Sequence, residues 1–440
     1  MGVNQFNKNQ APVPYEPEAS PVSGSFIYWA REAARRLSWK NTFASLRHPN
    51  YRLWFWGQMT SLFGTWMQST ALSFFIYELT HSSAFLGYIG FAMGVPMWLL
   101  AMYGGVIADR VSRRWLLIAT QTFMMLLAFL LSALTFSHLI QPWLIILLAF
   151  FLGVAQAFDA PARQALVVEL VPREDLTNAI ALNSTMVNAA LFLGPAFSGL
   201  VYAFFGPAWC FLVNGISYLA IILALLAMKL RPVERAVVKN SAWQDWRNGL
   251  SYLFGQRLLL ALIANIGLLS LFGASALTIM PAWAVKELGG DARTNGWLQS
   301  ARGLGSLLAA LLIASLGRFK FRGRLLTAGA FSLPVLMLAF SFSRHLGLSL
   351  LILVGVGMGL IVVANLTNAL VQGLVADSMR GRVMGIYALS FFGFMPLGSL
   401  WVGQMAQLLG ERPAVIINAG LFLAFILIIW VVVPKLRTLE

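Results

Sequence analysis

Charged side chains are scarce in this chain, so those inside apolar stretches are the first candidates for chemistry. Asp159 lies near the end of one such stretch, and Arg302 stands on another with no acidic neighbour at helical spacing. A carboxylate in that setting can bind and release a proton, and a guanidinium can hold an anion or pair with a carboxylate on another helix. A third group is the run Gly105-Val-Ile-Ala-Asp109-Arg110-Val-Ser-Arg113-Arg114. Its glycine permits close helix approach, its Asp can pair with a base, and its arginines can anchor at headgroups. Catalytic patterns are missing. His48, His81, His138 and His345 have neither metal-ligand nor catalytic spacing, and no glycine loop ends in Gly-Lys-Ser/Thr to cradle a phosphate. Cys210 is the single cysteine, which excludes an internal disulfide and a Cys-based metal cluster. No cofactor, metal or enzymatic activity is expected.

The elements that position these residues follow from composition. Apolar residues make up 59% of the 440 and charged residues 11%, against about 25% charged in soluble domains. That excludes a water-facing surface and points to membrane helices rather than the alternating pattern of an outer-membrane barrel. Twelve stretches reach spanning length, at 53–78, 84–108, 115–137, 142–162, 179–203, 208–229, 258–284, 295–316, 325–343, 346–371, 383–407 and 413–434. The expected class is an all-α membrane protein of twelve transmembrane helices in two pseudo-symmetric six-helix bundles. Residues 1–50 read as a tail followed by a basic, aromatic interfacial helix from 26 to 48. Residues 51–229 read as the first bundle, 230–256 as a cytoplasmic linker, and 257–440 as the second bundle with a short tail.

A weak repeat supports two related bundles. Pro195 is echoed by Pro396, Pro207-Ala208 by Pro413-Ala414, and Asn214 by Asn418. Parallel repeats of six-helix units are a transporter architecture. With both termini in the cytoplasm, 26 of the 31 Lys and Arg fall on the cytoplasmic side. The net charge of +15 therefore faces anionic lipid, and no nucleic-acid partner is needed to explain it.

The run Gly105 to Arg114 resembles the loop 2–3 signature of the major facilitator superfamily, with Ser112 in place of its second Gly. Gly194-Pro195-Ala-Phe-Ser-Gly199 resembles the span 5 signature associated with antiporters of that superfamily, with Ser198 where a Gly is usual. Arg52 through Gln68, Tyr77-Glu78-Leu-Thr80 and Asp159-Ala-Pro161-Ala-Arg163-Gln164 are similar to the bacterial branch that includes the enterobactin exporter. Ala149 departs from the arginine that many drug–proton antiporters carry in span 4, which removes any coupling scheme built on that arginine.

The resemblance implies alternating access in a bacterial cytoplasmic membrane. The leading expectation is proton-coupled export of a siderophore-like or drug-like amphipathic molecule by a monomer whose partners are substrate, proton and lipid. A lipid or lysolipid flippase and a non-transporting membrane sensor are the alternatives. Gating residues on this reading are Gly105, Asp109, Arg110, Arg113, Arg114, Asp159, Arg163, Gly194, Pro195 and Gly199. Asp159 has two competing roles, a protonation site or a latch onto Arg113, and its place near the interface favours the latch. Arg302 either snorkels to the outer headgroups or meets an anionic substrate or a carboxylate, with Glu78 as a possible partner. The helices that line family cavities make Trp66, Gln68, Glu78, Gln156, Asn188, Asn265, Arg302, Asn365 and Asn368 the candidates for substrate binding or coupling.

Overall fold

The computed structural model describes residues 43–230, 242–316 and 321–438, with the side chains of 101, 102, 106, 109, 242–245, 437 and 438 outside the described set. The expected tail, most of the interfacial helix at 26–48 and the linker stretch 231–241 lie outside the described residues. All that follows concerns the unit that begins at Ser45.

Six long helices come first: α1 (Pro49–Thr80), α2 (Ser83–Arg110), α3 (Arg113–Phe136), α4 (Pro142–Glu169), α5 (Leu176–Phe205) and α6 (Pro207–Ala227). A short helix α7 (Ala242–Phe254) precedes the second set. That set begins with a broken span: α8 (Arg257–Leu268), a π turn over Leu269–Ala274, a 3-10 turn over Ser275–Ile279 and α9 (Met280–Lys286). It continues with α10 (Ala292–Leu316), α11 (Arg322–Phe342), α12 (Leu346–Leu374), α13 (Arg380–Leu409) and α14 (Glu411–Val432).

Among the described residues, eleven segments are long and apolar enough to cross a membrane, the broken span counting as one of 30 residues. The twelfth is α1. Its 32 residues exceed the roughly 20 a span requires, but Gln58, Thr60, Ser61, Thr65, Gln68, Ser69 and Thr70 dilute its apolarity. Most of these groups are satisfied within the protein: the Thr60, Thr65 and Thr70 hydroxyls bond carbonyls one turn back, and Gln68 is buried.

Helix ends follow local chemistry. Pro49, Pro142 and Pro207 occupy first turns, where a missing N–H is harmless. Gly206 and Gly410 turn α5 into α6 and α13 into α14 with φ of 89° and 93°, a backbone open mainly to glycine. These turns carry the repeat that the sequence showed at Pro207 and Pro413. Helix α4 runs to Glu169 instead of stopping at 162, because Pro161 is absorbed inside it. Asp159 therefore lies ten residues, about 15 Å, inside the helix and not at its edge.

The loops at Arg110–Arg113, Glu169–Leu176 and Leu374–Arg380 lie at one end of the bundle, called the basic end below; those at Thr80–Ser83, Phe205–Pro207 and Lys286–Ala292 lie at the far end. The two sets of six meet along two seams, α2 against α13 and α5 against α10. On the first, Gly94 lies under the ring of Pro396, and a Cβ on Gly87 would sit 2.7 Å from the carbonyl of Ser399. On the second, a Cβ on Gly296 would sit 2.6 Å from the Pro195 carbonyl, and one on Gly199 would sit 2.9 Å from that of Ala292. The two proline–glycine contacts are repeat counterparts (Pro396 for Pro195, Gly296 for Gly94). Small residues let backbones touch where lipid offers no hydrophobic drive for helices to associate.

The seams also separate glycines that tolerate a side chain from those that do not. Gly296→Ala is expected to lower the melting temperature of the purified protein, since overpacking costs about 1–3 kcal/mol. Gly105→Ala, whose Cβ meets nothing within 4 Å, is expected to leave it unchanged or slightly raised through helix propensity. Thermal unfolding of both variants in one detergent checks the contrast.

Candidate functional site

At the basic end, Arg113 opens α3 and reaches α4. It donates to Glu169 Oε1 at 2.5 Å and to the Ala165 carbonyl at 3.2 Å. Arg114 donates to the Leu226 carbonyl of α6 at 2.7 Å and lies over the Trp115 ring. Arg110 is exposed, and the side chain of Asp109 lies outside the described residues. Gly105 faces open space; the close approach belongs to its neighbour Gly104, which abuts the Ala157 carbonyl of α4.

The expected latch between Asp159 and Arg113 does not form. Asp159 is 3% exposed and accepts from Gln121 Nε2 at 2.8 Å and Thr120 Oγ1 at 3.1 Å, both on α3. Arg163, one turn along α4, places Nε 3.7 Å from its other oxygen. The added length of α4 is the reason: it carries Asp159 away from the loop and presents Glu169 to Arg113 instead. Gln121 also accepts from Ser61 of α1, so the carboxylate sits in a polar network spanning α1, α3 and α4.

Gln68 moves out of the candidate cavity. It is buried on α1 and accepts from Asn214 of α6 at 2.8 Å, and Asn214 also accepts from Ser217. Phe272 stacks on Phe425 of α14, and the Tyr387 hydroxyl donates to the Ala364 carbonyl. Trp66 is half-buried, its Cβ against Gly194 of α5. Gly194 thus packs on α1 while Gly199 and Pro195 pack on α10, so the Gly-Pro motif joins a contact within one half to a contact between halves. Asn188 bonds the Ser184 carbonyl of its own helix, Asn365 is exposed, and Asn368 accepts from Gln372. Gln156 is half-buried and bonds no described residue. Asn265 is buried, with a long bond to Thr367 and an unpartnered carbonyl oxygen.

The far end holds a clasp that sequence reasoning missed. Glu411, the first residue of α14, is 3% exposed. Its Oε1 accepts from Lys286 Nζ at 2.8 Å and from Ser83 Oγ of α2 at 2.7 Å. Gln407 accepts from the Ser82 hydroxyl and the Ser83 N–H, and Gln404 donates to the Tyr88 hydroxyl. These four hydrogen bonds between the halves all lie at the far end. Arg412 pairs with Glu287 beside them. Separations of more than a hundred residues left no local signal; the only hint was an acidic residue opening a helix, where the dipole favours it.

Glu78 is not the partner of Arg302. It accepts from the Tyr202 hydroxyl of α5, at the rim of a cavity of about 460 Å³ that Phe74, Tyr77, Asp291 and Arg293 also line. Among the described residues no three His, Cys, Asp or Glu side chains gather as metal ligands.

The clasp has a measurable consequence. Glu411→Gln removes the charge that Lys286 and Ser83 share, so the far end is expected to open more often. A cysteine placed at Ser399, 2% exposed on the α2–α13 seam, is then expected to react several-fold faster with a polar maleimide in a Cys210→Ala background. An unchanged labelling rate would show that the glycine seam alone holds this end shut.

The sequence matches the profile of the family described as transmembrane secretion effector over residues 40–440. The staphyloferrin A transporter of Staphylococcus aureus is 25% identical over 79% of this chain and 87% of its own length. The enterobactin exporter EntS of Shigella boydii is 26% identical over 91% and 96%, and macrolide efflux protein A of Streptococcus pyogenes is 21% identical over 90% and 99%. Among solved structures, a bacterial homolog of the human lysosomal transporter Spinster, in an inward-facing, unoccupied conformation, shares the fold with a TM-score of 0.67 at 14% identity, over 91% of this chain and 98% of that one. The nucleoside transporter NupG does so with a TM-score of 0.66 at 14% identity, over 88% and 98%. Twelve helices in two related sets, joined along glycine seams and matched by profile across nearly the whole sequence, identify the chain as a member of the transmembrane secretion effector family of the major facilitator superfamily, and as a transporter rather than an enzyme.

Proposed function

We propose that this transporter is a proton-coupled exporter of a siderophore-like or drug-like amphipathic molecule, seated in a bacterial cytoplasmic membrane with its basic end and both termini in the cytoplasm. The distribution of Lys and Arg supports that orientation. The Gly194-Pro195 motif and the efflux and export named for the relatives support the direction. On this reading residues 51–229 and 257–440 are the two rocking bodies, and 230–256 is the linker that tethers them. One copy of the chain carries out the cycle, with substrate, proton and lipid as its partners.

The observation that carries the coupling is Asp159, a carboxylate about 15 Å inside α4 and sealed from solvent. Its two oxygens hold Thr120, Gln121 and Arg163 together. Protonation would remove the charge that strengthens all three contacts, leaving Arg163 without its counter-charge and loosening α4 from α3. Helix α4 also packs on α2, the seam helix, so a change at Asp159 reaches the contact between the halves. Deprotonation restores the network and resets the cycle. Closure at the far end, as seen in this structure, alternates with closure at the basic end, where Asp109, Arg110, Arg113 and Arg114 stand.

Proteoliposomes loaded with enterobactin or erythromycin test the coupling. An imposed pH gradient is expected to drive substrate movement in the wild type. Asp159→Asn is expected to abolish gradient-driven accumulation while leaving exchange of substrate across the membrane at equal pH. Retained gradient dependence in that variant would remove Asp159 from the coupling role.

A further inference from the structure

The described carboxylates of the spanning helices all have partners. Glu78 is held by Tyr202, Asp159 by Thr120, Gln121 and Arg163, Glu169 by Arg113, and Glu411 by Lys286 and Ser83. Glu287 and Asp291, on the far-end loop, are held by Arg412 and by Arg293 and Thr294. Asp109 stands one residue from the basic end of α2. Among the described carboxylates none is left for Arg302.

Arg302 lies ten residues into α10 from Ala292 and fourteen from Leu316, or about 15 and 21 Å from its ends. That places it near mid-membrane depth, too deep for its side chain to carry the charge to either headgroup layer. The residue is half-buried, and its Nε is sealed from solvent with no hydrogen-bond partner. Among the described residues its guanidinium has neither an ion pair nor a hydrogen bond. At 100° per residue, the face of α10 that bears Arg302 also bears Asn295, Gln299 and Ser306. Gly303, packed on Leu191 and Phe192 of α5, and Gly305, packed on Val354 of α12, flank that face on either side. The face therefore points inward between two packed neighbours and away from lipid. Asn295, two turns toward the far end, is fully buried with both amide atoms unpartnered. A second unsatisfied polar group on the same face argues for a ligand path rather than one misplaced arginine.

An uncompensated guanidinium at this depth is costly, and the described residues supply no counter-charge for it. We infer that the missing counter-charge arrives with the cargo: Arg302 receives a carboxylate or similar oxyanion of the transported molecule, so the cargo is an amphipathic organic anion and not a cation or a neutral compound. This rests on the transport reading above and narrows its substrate class. Arg302 would bind the anion from the basic side, and Asn295, beside the Gly296 seam contact, would become accessible when the far end opens.

The test uses full-length protein in phosphatidylcholine nanodiscs and three fluorescent probes on one scaffold: pyrene-butanoate, its neutral amide and the matching primary ammonium. The butanoate is expected to bind about tenfold or more tightly than the amide, the usual worth of a charged hydrogen bond, and the ammonium weakest. Arg302→Lys is expected to keep part of the preference and Arg302→Met to erase it. Arg302→Met is also expected to raise the melting temperature of the ligand-free protein, because it removes an unpaired charge that a structural arginine would not carry. Equal binding of the three probes, an intact preference in Arg302→Met, or a lower melting temperature in that variant would overturn the inference. So would loss of the preference on adding phosphatidylglycerol, which would assign Arg302 to a lipid headgroup. Anion binding without movement of any cargo in proteoliposomes would leave this site standing and sink the export reading, whereas export indifferent to cargo charge would do the reverse.

Discussion

Close contact at glycines along two seams governs how this molecule is put together. Gly87 on α2 and Gly199 and Gly296 on the α5–α10 seam bring main chains, and Gly94 on α2 brings the Pro396 ring, so close that a methyl group could not enter. In lipid, apolar side chains gain nothing by leaving hydrocarbon for each other, so association depends on close packing and on polar contacts. The seams supply the first and the Ser83, Gln407 and Glu411 clasp the second. Both lie toward the far end, so the halves are joined there. A contact built from small residues and a few hydrogen bonds can part and reform without exposing a large apolar core, which an alternating-access cycle requires.

Charge is distributed between the halves in a complementary way. The first half carries a buried acid, Asp159, about 15 Å from the basic end; the second carries a base, Arg302, about 15 Å from the far end. The acid is surrounded by donors from α3 and by Arg163 of its own helix, and the base is left without an acceptor. Low dielectric magnifies the difference. The satisfied carboxylate ties α3 to α4 through its donors. An unsatisfied guanidinium holds nothing, and it is stabilised only when something negative comes to it. On the reading proposed above, the two groups have separate duties, one toward the proton and one toward the cargo.

The repeat that surfaced as scattered matched residues has a physical role. Pro195 and Pro396 occupy equivalent seam contacts, and Gly206 and Gly410 make equivalent tight turns. Asn214 and Asn418 are both fully buried, each accepting a side-chain hydrogen bond. Each residue type answers a local geometry: a proline against a glycine, through its ring at Pro396 and its carbonyl at Pro195, a positive φ at the turn, and an amide oxygen that accepts a hydrogen bond inside an apolar bundle. The uncharged polar residues were harder to place. Gln68 and Asn188 look alike in sequence, yet one bridges α1 to α6 and the other bonds its own helix. A helical period of 3.6 says which residues share a face, but not what that face meets.

The sequence by itself determined the membrane class, the number of spans, the repeat and the one-sided basic charge. These depend on composition and spacing, and the solvent imposes them: a helix must bury some twenty apolar residues to cross. It also singled out Asp159 and Arg302, because an ionisable group in hydrocarbon is rare and conspicuous. Only the tertiary structure decided their partners. Arg113 meets Glu169, Glu411 meets Lys286 and Ser83, and Arg302 pairs with no described carboxylate, because pairing is set by which helices pack and at what height. A few residues more at the end of α4 place Asp159 ten residues inside the helix, where it meets Thr120, Gln121 and Arg163 and not Arg113.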